Sequence, residues 1–180
     1  MIETERLKMR RFTRDDLAWL IEMRTRPGVS KYLGGEKLQN PDAISKRLDF
    51  YLDCYEKFGI GSCAMHWKET GELIGFSGLQ PLENTGEIEV GYSLVPEFWR
   101  RGIGYESAMG WLDHGFNTLA LDRIVAIAVK DNVGSWRIME KCGMTFEDER
   151  EHYGLPVVYY AISRNEFNDN KLEAGVSRPS

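Results

Sequence analysis

A chain of 180 residues with 28 Asp and Glu against 23 Lys and Arg, net charge −5, is poorly matched to a phosphodiester backbone, which excludes nucleic-acid binding as its main activity. Its 42% hydrophobic and 28% charged content is that of a single globular domain, and no apolar run approaches the ~18 residues of a membrane span. Three scattered cysteines without a CxxC, three distant histidines and no apolar segment at the start exclude a disulfide framework, argue against a bound metal and predict a cytoplasmic protein, whose acidity suits a cationic partner such as an amine.

Leu7 to Phe12 reads as a first strand. Thr13 then caps a helix running to Arg24, with Leu17, Leu20 and Ile21 on its apolar side and Pro27-Gly28 as its stop. Asn40-Pro41-Asp42 opens a second helix, with Ile44, Leu48, Tyr51, Leu52 and Tyr55 on one face. Strands follow at Ile60 to Trp67 and Leu73 to Leu79, joined by the turn Glu69-Thr70-Gly71-Glu72. Beyond the turn at Glu83-Asn84-Thr85-Gly86, the strand from Glu87 to Leu94 alternates cleanly. Ile88, Val90, Tyr92 and Leu94 point one way, and Glu87, Glu89, Gly91 and Ser93 the other.

The order then switches to a helix from Gly102 to Leu119, a strand from Arg123 to Val129, and a helix from Asn132 to Cys142 closed by Gly143. Two strands, near Met144 to Glu149 and Val157 to Ile162, complete an α+β chain around a mixed sheet. From Asn168 onward the chain lacks apolar content and reads as a mobile tail.

Most of the chemistry is carried by Val95-Pro96-Glu97-Phe98-Trp99-Arg100-Arg101-Gly102-Ile103-Gly104-Tyr105, between a strand and a helix. A helix start offers unpaired N–H groups and a positive dipole end; two glycines let an anion approach closely, and two arginines add charge. A surface turn with solvated arginines fits the same local pattern. A dinucleotide fingerprint does not, since Ser107 stands where its third glycine belongs, and no GxxxxGK[ST] occurs.

Four segments stand in order: Thr4-Glu5-Arg6-Leu7-Lys8-Met9-Arg10; Glu89-Val90-Gly91-Tyr92-Ser93-Leu94 with Trp99-Arg100-Arg101-Gly102-Ile103-Gly104; Asn132-Val133-Gly134-Ser135 with Glu140-Lys141-Cys142-Gly143-Met144; and Val157-Val158-Tyr159-Tyr160-Ala161-Ile162. Together they resemble the GNAT N-acetyltransferase superfamily and, within it, the ribosomal-protein alanine N-acetyltransferase (RimJ/RimL-like) branch. The resemblance implies a mixed, largely antiparallel sheet of six to seven strands with helices on both faces, forming one N-acetyltransferase domain over residues 1–167, with 168–180 a flexible tail. It implies acetyl-CoA as cosubstrate and no metal. The acceptor is an amine-bearing substrate, a protein N-terminus in the first place, with a polyamine, amino acid or aminoglycoside as the alternative. A non-catalytic acyl-CoA sensor and a homodimer stay open.

By the same resemblance, Leu94 and Val95 offer backbone groups to the pantetheine arm, and the amides of Arg100, Arg101, Gly102, Ile103, Gly104 and Tyr105 hold the pyrophosphate. Asn132 bonds the pantetheine amide or caps its helix, and Ser135 binds the cofactor and bonds the departing thiolate. Glu89 is the candidate base for the amine, with Glu87 available on the same face. Two departures stand out: Met139 occupies the position where many members have a tyrosine, and Trp99 stands where Gln or Arg is usual. Cys142, with no histidine near it in sequence, reads as a structural thiol.

Overall fold

A computed structural model describes residues 2–176. Eight strands form one sheet: β1 (Ile2–Glu3), β2 (Leu7–Arg11), β3 (Ser62–Trp67), β4 (Leu73–Pro81), β5 (Ile88–Leu94), β6 (Arg123–Val129), β7 (Thr145–His152) and β8 (Leu155–Ser163). Their spatial order is β1-β2-β3-β4-β5-β6-β8-β7, and every neighbouring pair is antiparallel except β5 with β6. The count exceeds the expected six to seven because β1, two residues long, is too short to show an alternation. Pairing with β2 makes it a strand.

Six helices cover the sheet: α1 (Leu17–Thr25), α2 (Pro27–Ser30), α3 (Pro41–Phe58), α4 (Ile103–Asn117), α5 (Val133–Lys141) and α6 (Arg164–Val176). Asn40, where the sequence opens the second helix, caps α3, Oδ1 accepting the Ala43 amide at 3.0 Å. Against one face Tyr51 of α3 stacks on Phe12 and tilts against Phe76 of β4, with ring centroids 5.6 and 5.9 Å apart. On the other face α4 and α6 meet through Phe116 and Phe167, 5.1 Å apart. The chain beyond Asn168, expected to be a mobile tail, continues α6 to Val176, anchored upstream by buried Phe167; residues 177–180 lie outside the described residues. No helix among the described residues is long and apolar enough to cross a membrane.

The feature that positions the site is the single parallel pair. β5 is zipped to β4 from Ile88 to Leu94, and β6 is zipped to β8 along its whole length. Between themselves β5 and β6 meet at one register pair, Glu89 with Val125. Beyond that vertex each strand follows its own neighbour, and the sheet opens toward the carboxyl ends of both.

Candidate active site

The Val95 amide bonds the Ile74 carbonyl at 2.9 Å, which fixes the phase of β5 against β4. In an antiparallel ladder the odd residues 89 to 95 therefore direct their main-chain groups to β4, and Val90, Tyr92 and Leu94 direct theirs into the opening toward β6. Leu94 keeps an N–H on that side, while its carbonyl accepts the Trp99 indole N–H at 2.8 Å. Val95 does not offer what the sequence suggested. Its N–H is taken by Ile74, and its carbonyl accepts the Phe98 amide at 3.0 Å, so it anchors a tight turn, Pro96–Phe98.

That turn leads into the start of α4. Arg100 (φ 59°) and Gly102 (φ 75°) both adopt left-handed backbone, a conformation that turns successive N–H groups toward one concavity. The amides of Ile103, Gly104 and Tyr105 have no acceptor among the described residues, while the first intrahelical bond runs from Glu106 to Gly102 at 3.0 Å. Gly104 has a packing reason as well: a Cβ there would lie 2.9 Å from Ile138 Cδ1 of α5. Arg100 and Arg101 are exposed and form no ion pair among the described residues; the Arg101 guanidinium lies 5.0 Å from the Phe98 ring. Arg6 braces the turn from β2's side, donating to the Arg101 carbonyl at 3.1 Å and to Glu106 at 2.6 Å. A diphosphate fits this concavity, which supplies free amides, a helix dipole and two unpaired cations.

Glu89 sits at the vertex. The alternation predicts its face correctly, but that face is covered, and Glu89 is only 5% exposed. Its Oε1 accepts from Gln80 Nε2 at 2.5 Å and from the Tyr153 hydroxyl at 2.9 Å. Burial pushes its pKa up, against the pull of those two hydrogen bonds and of the Arg47 charge. Glu87 is otherwise engaged, accepting the Tyr159 hydroxyl at 2.6 Å with Arg123 Nε at 3.6 Å. Tyr153 reaches Glu89 from the β7–β8 hairpin, where Tyr153 (φ 53°) and Gly154 (φ 70°) make the turn. A tyrosine in left-handed backbone costs about 1 kcal/mol. Glu83 offsets part of that by accepting the Tyr153 amide at 3.1 Å and pairing with His152 Nδ1 at 2.7 Å.

Across the opening Asn132 caps α5, accepting the Ser135 amide at 3.3 Å. The Tyr92 hydroxyl donates to the Ser135 carbonyl at 2.9 Å, and Ser135 Oγ lies 3.4 Å from that hydroxyl. Two hydroxyls thus stand together on the α4–α5 side of the vertex, with Glu89 on the other.

The sequence profile of the acetyltransferase (GNAT) domain matches residues 6–145, well over half of the chain. The chain belongs to the GNAT acetyltransferase family. The uncharacterized N-acetyltransferase YoaA of Bacillus subtilis is 30% identical over 155 residues, covering 85% of this chain and 87% of its own. The acetyltransferase of Agrobacterium tumefaciens has a similar structure, with a TM-score of 0.79 and 26% identity over 89% of this chain and 92% of that one. The ribosomal-protein-S5-alanine acetyltransferase of Vibrio fischeri shares the fold, with a TM-score of 0.71, 18% identity and coverage of 92% and 97%. The fold is that of the acyl-CoA N-acyltransferases, and the enzyme is an acyl-CoA-dependent N-acetyltransferase of the GNAT type.

In this acetyltransferase the Cys142 thiol is buried, and desolvation pushes its pKa up to about 12, so it is no nucleophile. No cluster of metal-ligating side chains occurs among the described residues. Sequence reasoning missed Gln80, Tyr92 and Tyr153. Gln80 was findable, since it pairs directly with Glu89 across β4 and β5, but only once that register is known. Trp99, which stands where Gln or Arg is usual, ties the cradle back to β5.

Proposed function

We propose that the enzyme transfers acetyl from acetyl-CoA to a primary amine by direct attack within a ternary complex, with Glu89 as base. The observation that carries this reading is the opening of β5 from β6 just past a buried carboxylate, with a row of free amides at its rim. The amides of residues 103–105 with Arg100 and Arg101 hold the diphosphate. The Leu94 N–H, pointing into the opening, polarises the thioester carbonyl. The amine nitrogen bonds to the carbonyl carbon as the C–S bond breaks. Glu89 takes the amine's proton directly or through water, and the departing thiolate receives one from the Tyr92–Ser135 pair. An alkylamine is mostly ammonium at neutral pH, so a carboxylate with a raised pKa is a suitable acceptor for its proton.

The four-segment resemblance favours an α-amine at a peptide N-terminus. The cavity beside Glu89 also suits a small amine. Titration calorimetry with acetyl-CoA, CoA and NAD, followed by thiol release with a panel of amines, tests the reading. Acetyl-CoA binding with amine-dependent thiol release is expected; binding without release from any amine would make the protein a sensor. Tyr92→Phe, a near-isosteric change at a half-buried site, should lower kcat about 10-fold or more while leaving acetyl-CoA affinity in place, and Ser135→Ala should do the same to a smaller degree. Wild-type rates in both variants would leave the pair a purely structural one.

A further inference from the structure

The acceptor side of the vertex carries more positive charge than the reaction needs. A cavity of about 310 Å³ opens there, lined by Ala43, Lys46, Arg47, Phe50, Glu83 and Tyr153. Tyr153 is the wall it shares with Glu89, through the hydroxyl bond at 2.9 Å. The Arg47 guanidinium is held between two rings, 5.1 Å from Tyr153 and 5.4 Å from Phe50, and no carboxylate lies within ion-pair distance of it or of Lys46 among the described residues. Glu83, held by His152 and the Tyr153 amide, offsets only part of this charge, one carboxylate against two cations.

Deeper on the same face is a second guanidinium without a counter-ion among the described residues. Arg24, 6% exposed, donates to Gln39 Oε1 at 2.8 Å and to the Tyr51 hydroxyl at 3.2 Å, and lies 5.4 Å from the Phe76 ring. All three partners are neutral. A charge so far from water is costly unless an opposite charge is near, and the Arg47 charge adds repulsion to the cost of burial. Glu89, which lies in the field of Arg47, surrenders its charge each time it takes a proton from the substrate.

We infer that the amine acceptor also bears a carboxylate, which the Arg47 guanidinium binds at the mouth of the cavity while the amine reaches Glu89. A guanidinium fork matches a carboxylate in shape and charge, and rings on both sides hold it in place before the substrate arrives. A polyamine would bring further ammonium groups against Arg47 and Lys46, which disfavours it. The inference rests on the transferase reading above. The carboxylate has two sources, a free amino acid or the side chain of an acidic residue at a peptide N-terminus.

Thiol release from acetyl-CoA with alanine, glutamate, alaninamide, a tetrapeptide amide starting with aspartate, and spermidine tests it. Carboxylate-bearing amines should exceed alaninamide at least about 10-fold in kcat/KM, as one charge-assisted bidentate pair allows. Alanine against the aspartyl peptide then tells the two sources apart. Arg47→Met should bring the carboxylate-to-amide ratio close to one, acting through KM, and Arg47→Lys should recover part of it. A ratio near one in the wild type, a preference for spermidine, or a ratio untouched by Arg47→Met would overturn the inference. If no amine is turned over, the transferase reading fails separately. Saturation-transfer NMR of N-acetylalanine against N-acetylalaninamide on the CoA-loaded protein still decides, because equal binding of the two would overturn the carboxylate site.

Discussion

Replacing Glu89 with glutamine is expected to lower kcat for acetyl transfer on the order of 100-fold and, at neutral pH, to make the protein more stable. Both effects come from one carboxylate held out of water. The rate effect has a pH signature. Burial raises the pKa of Glu89 above its ordinary value of 4.5, so in the wild type kcat/KM should rise with pH through an ionisation above the usual carboxylate range. Glu89→Gln should lose that limb and keep only the slower rise with the fraction of free amine. The deficit should therefore narrow at high pH, where the amine is already neutral. An equal deficit at every pH would remove the base role.

The stability effect runs the opposite way to that of a salt-bridged carboxylate. Because the native pKa is above the unfolded one, the native state binds more protons between the two values. The contribution of Glu89 is fully present below about pH 4.5 and is lost as pH rises through the native pKa. Glutamine does not ionise and escapes that loss. The thermal midpoint of Glu89→Gln should exceed the wild type at pH 8, with the margin shrinking as pH falls toward 4.5. A variant less stable at pH 8 would mean that Gln80 and Tyr153 hold the charged form more strongly than burial opposes it.

The second large effect is at the cradle. The double variant Arg100→Glu, Arg101→Glu should weaken coenzyme A binding on the order of 100-fold, since it replaces two charges that favour a diphosphate with two that repel it. Calorimetry in rising salt should show the wild-type affinity falling more steeply than that of the variant. The fold should be almost indifferent. Both side chains are exposed and neither is ion-paired among the described residues. The substitution removes the packing of the Arg101 guanidinium on the Phe98 ring, worth about 0.5–1 kcal/mol at an exposed site. Unchanged affinity would remove the pyrophosphate assignment even if the enzyme were active.

Local rules made much of this legible. The Asn40 and Asn132 caps, the clean alternation of β5 and the glycine-bearing start of α4 are written within a few residues each, and each is found in the fold. What sequence alone could not give is which face is covered. Alternation assigned Glu89 a side, but its burial depends on the β7–β8 hairpin folding over it and on the β4–β5 register that sets Gln80 opposite. Tyr153 reads as an ordinary turn residue until the hairpin is docked. Arg47 sits beside an apolar helix stripe where a solvated charge is the ordinary expectation; the rings of Phe50 and Tyr153 that flank it come from α3 and from a hairpin about a hundred residues further on. Val95 failed for a similar reason, because its availability depends on β4 taking its amide.

A crystal grown with coenzyme A gives the most direct measurement. The diphosphate should lie within hydrogen-bonding distance of the amides of Ile103, Gly104 and Tyr105, with the pantetheine arm extended between β5 and β6 and its sulfur near the Tyr92 and Ser135 hydroxyls. Coenzyme A bound on another surface, or strands β5 and β6 paired beyond Glu89 so that no arm can pass, would contradict the assignment of both the cradle and the vertex.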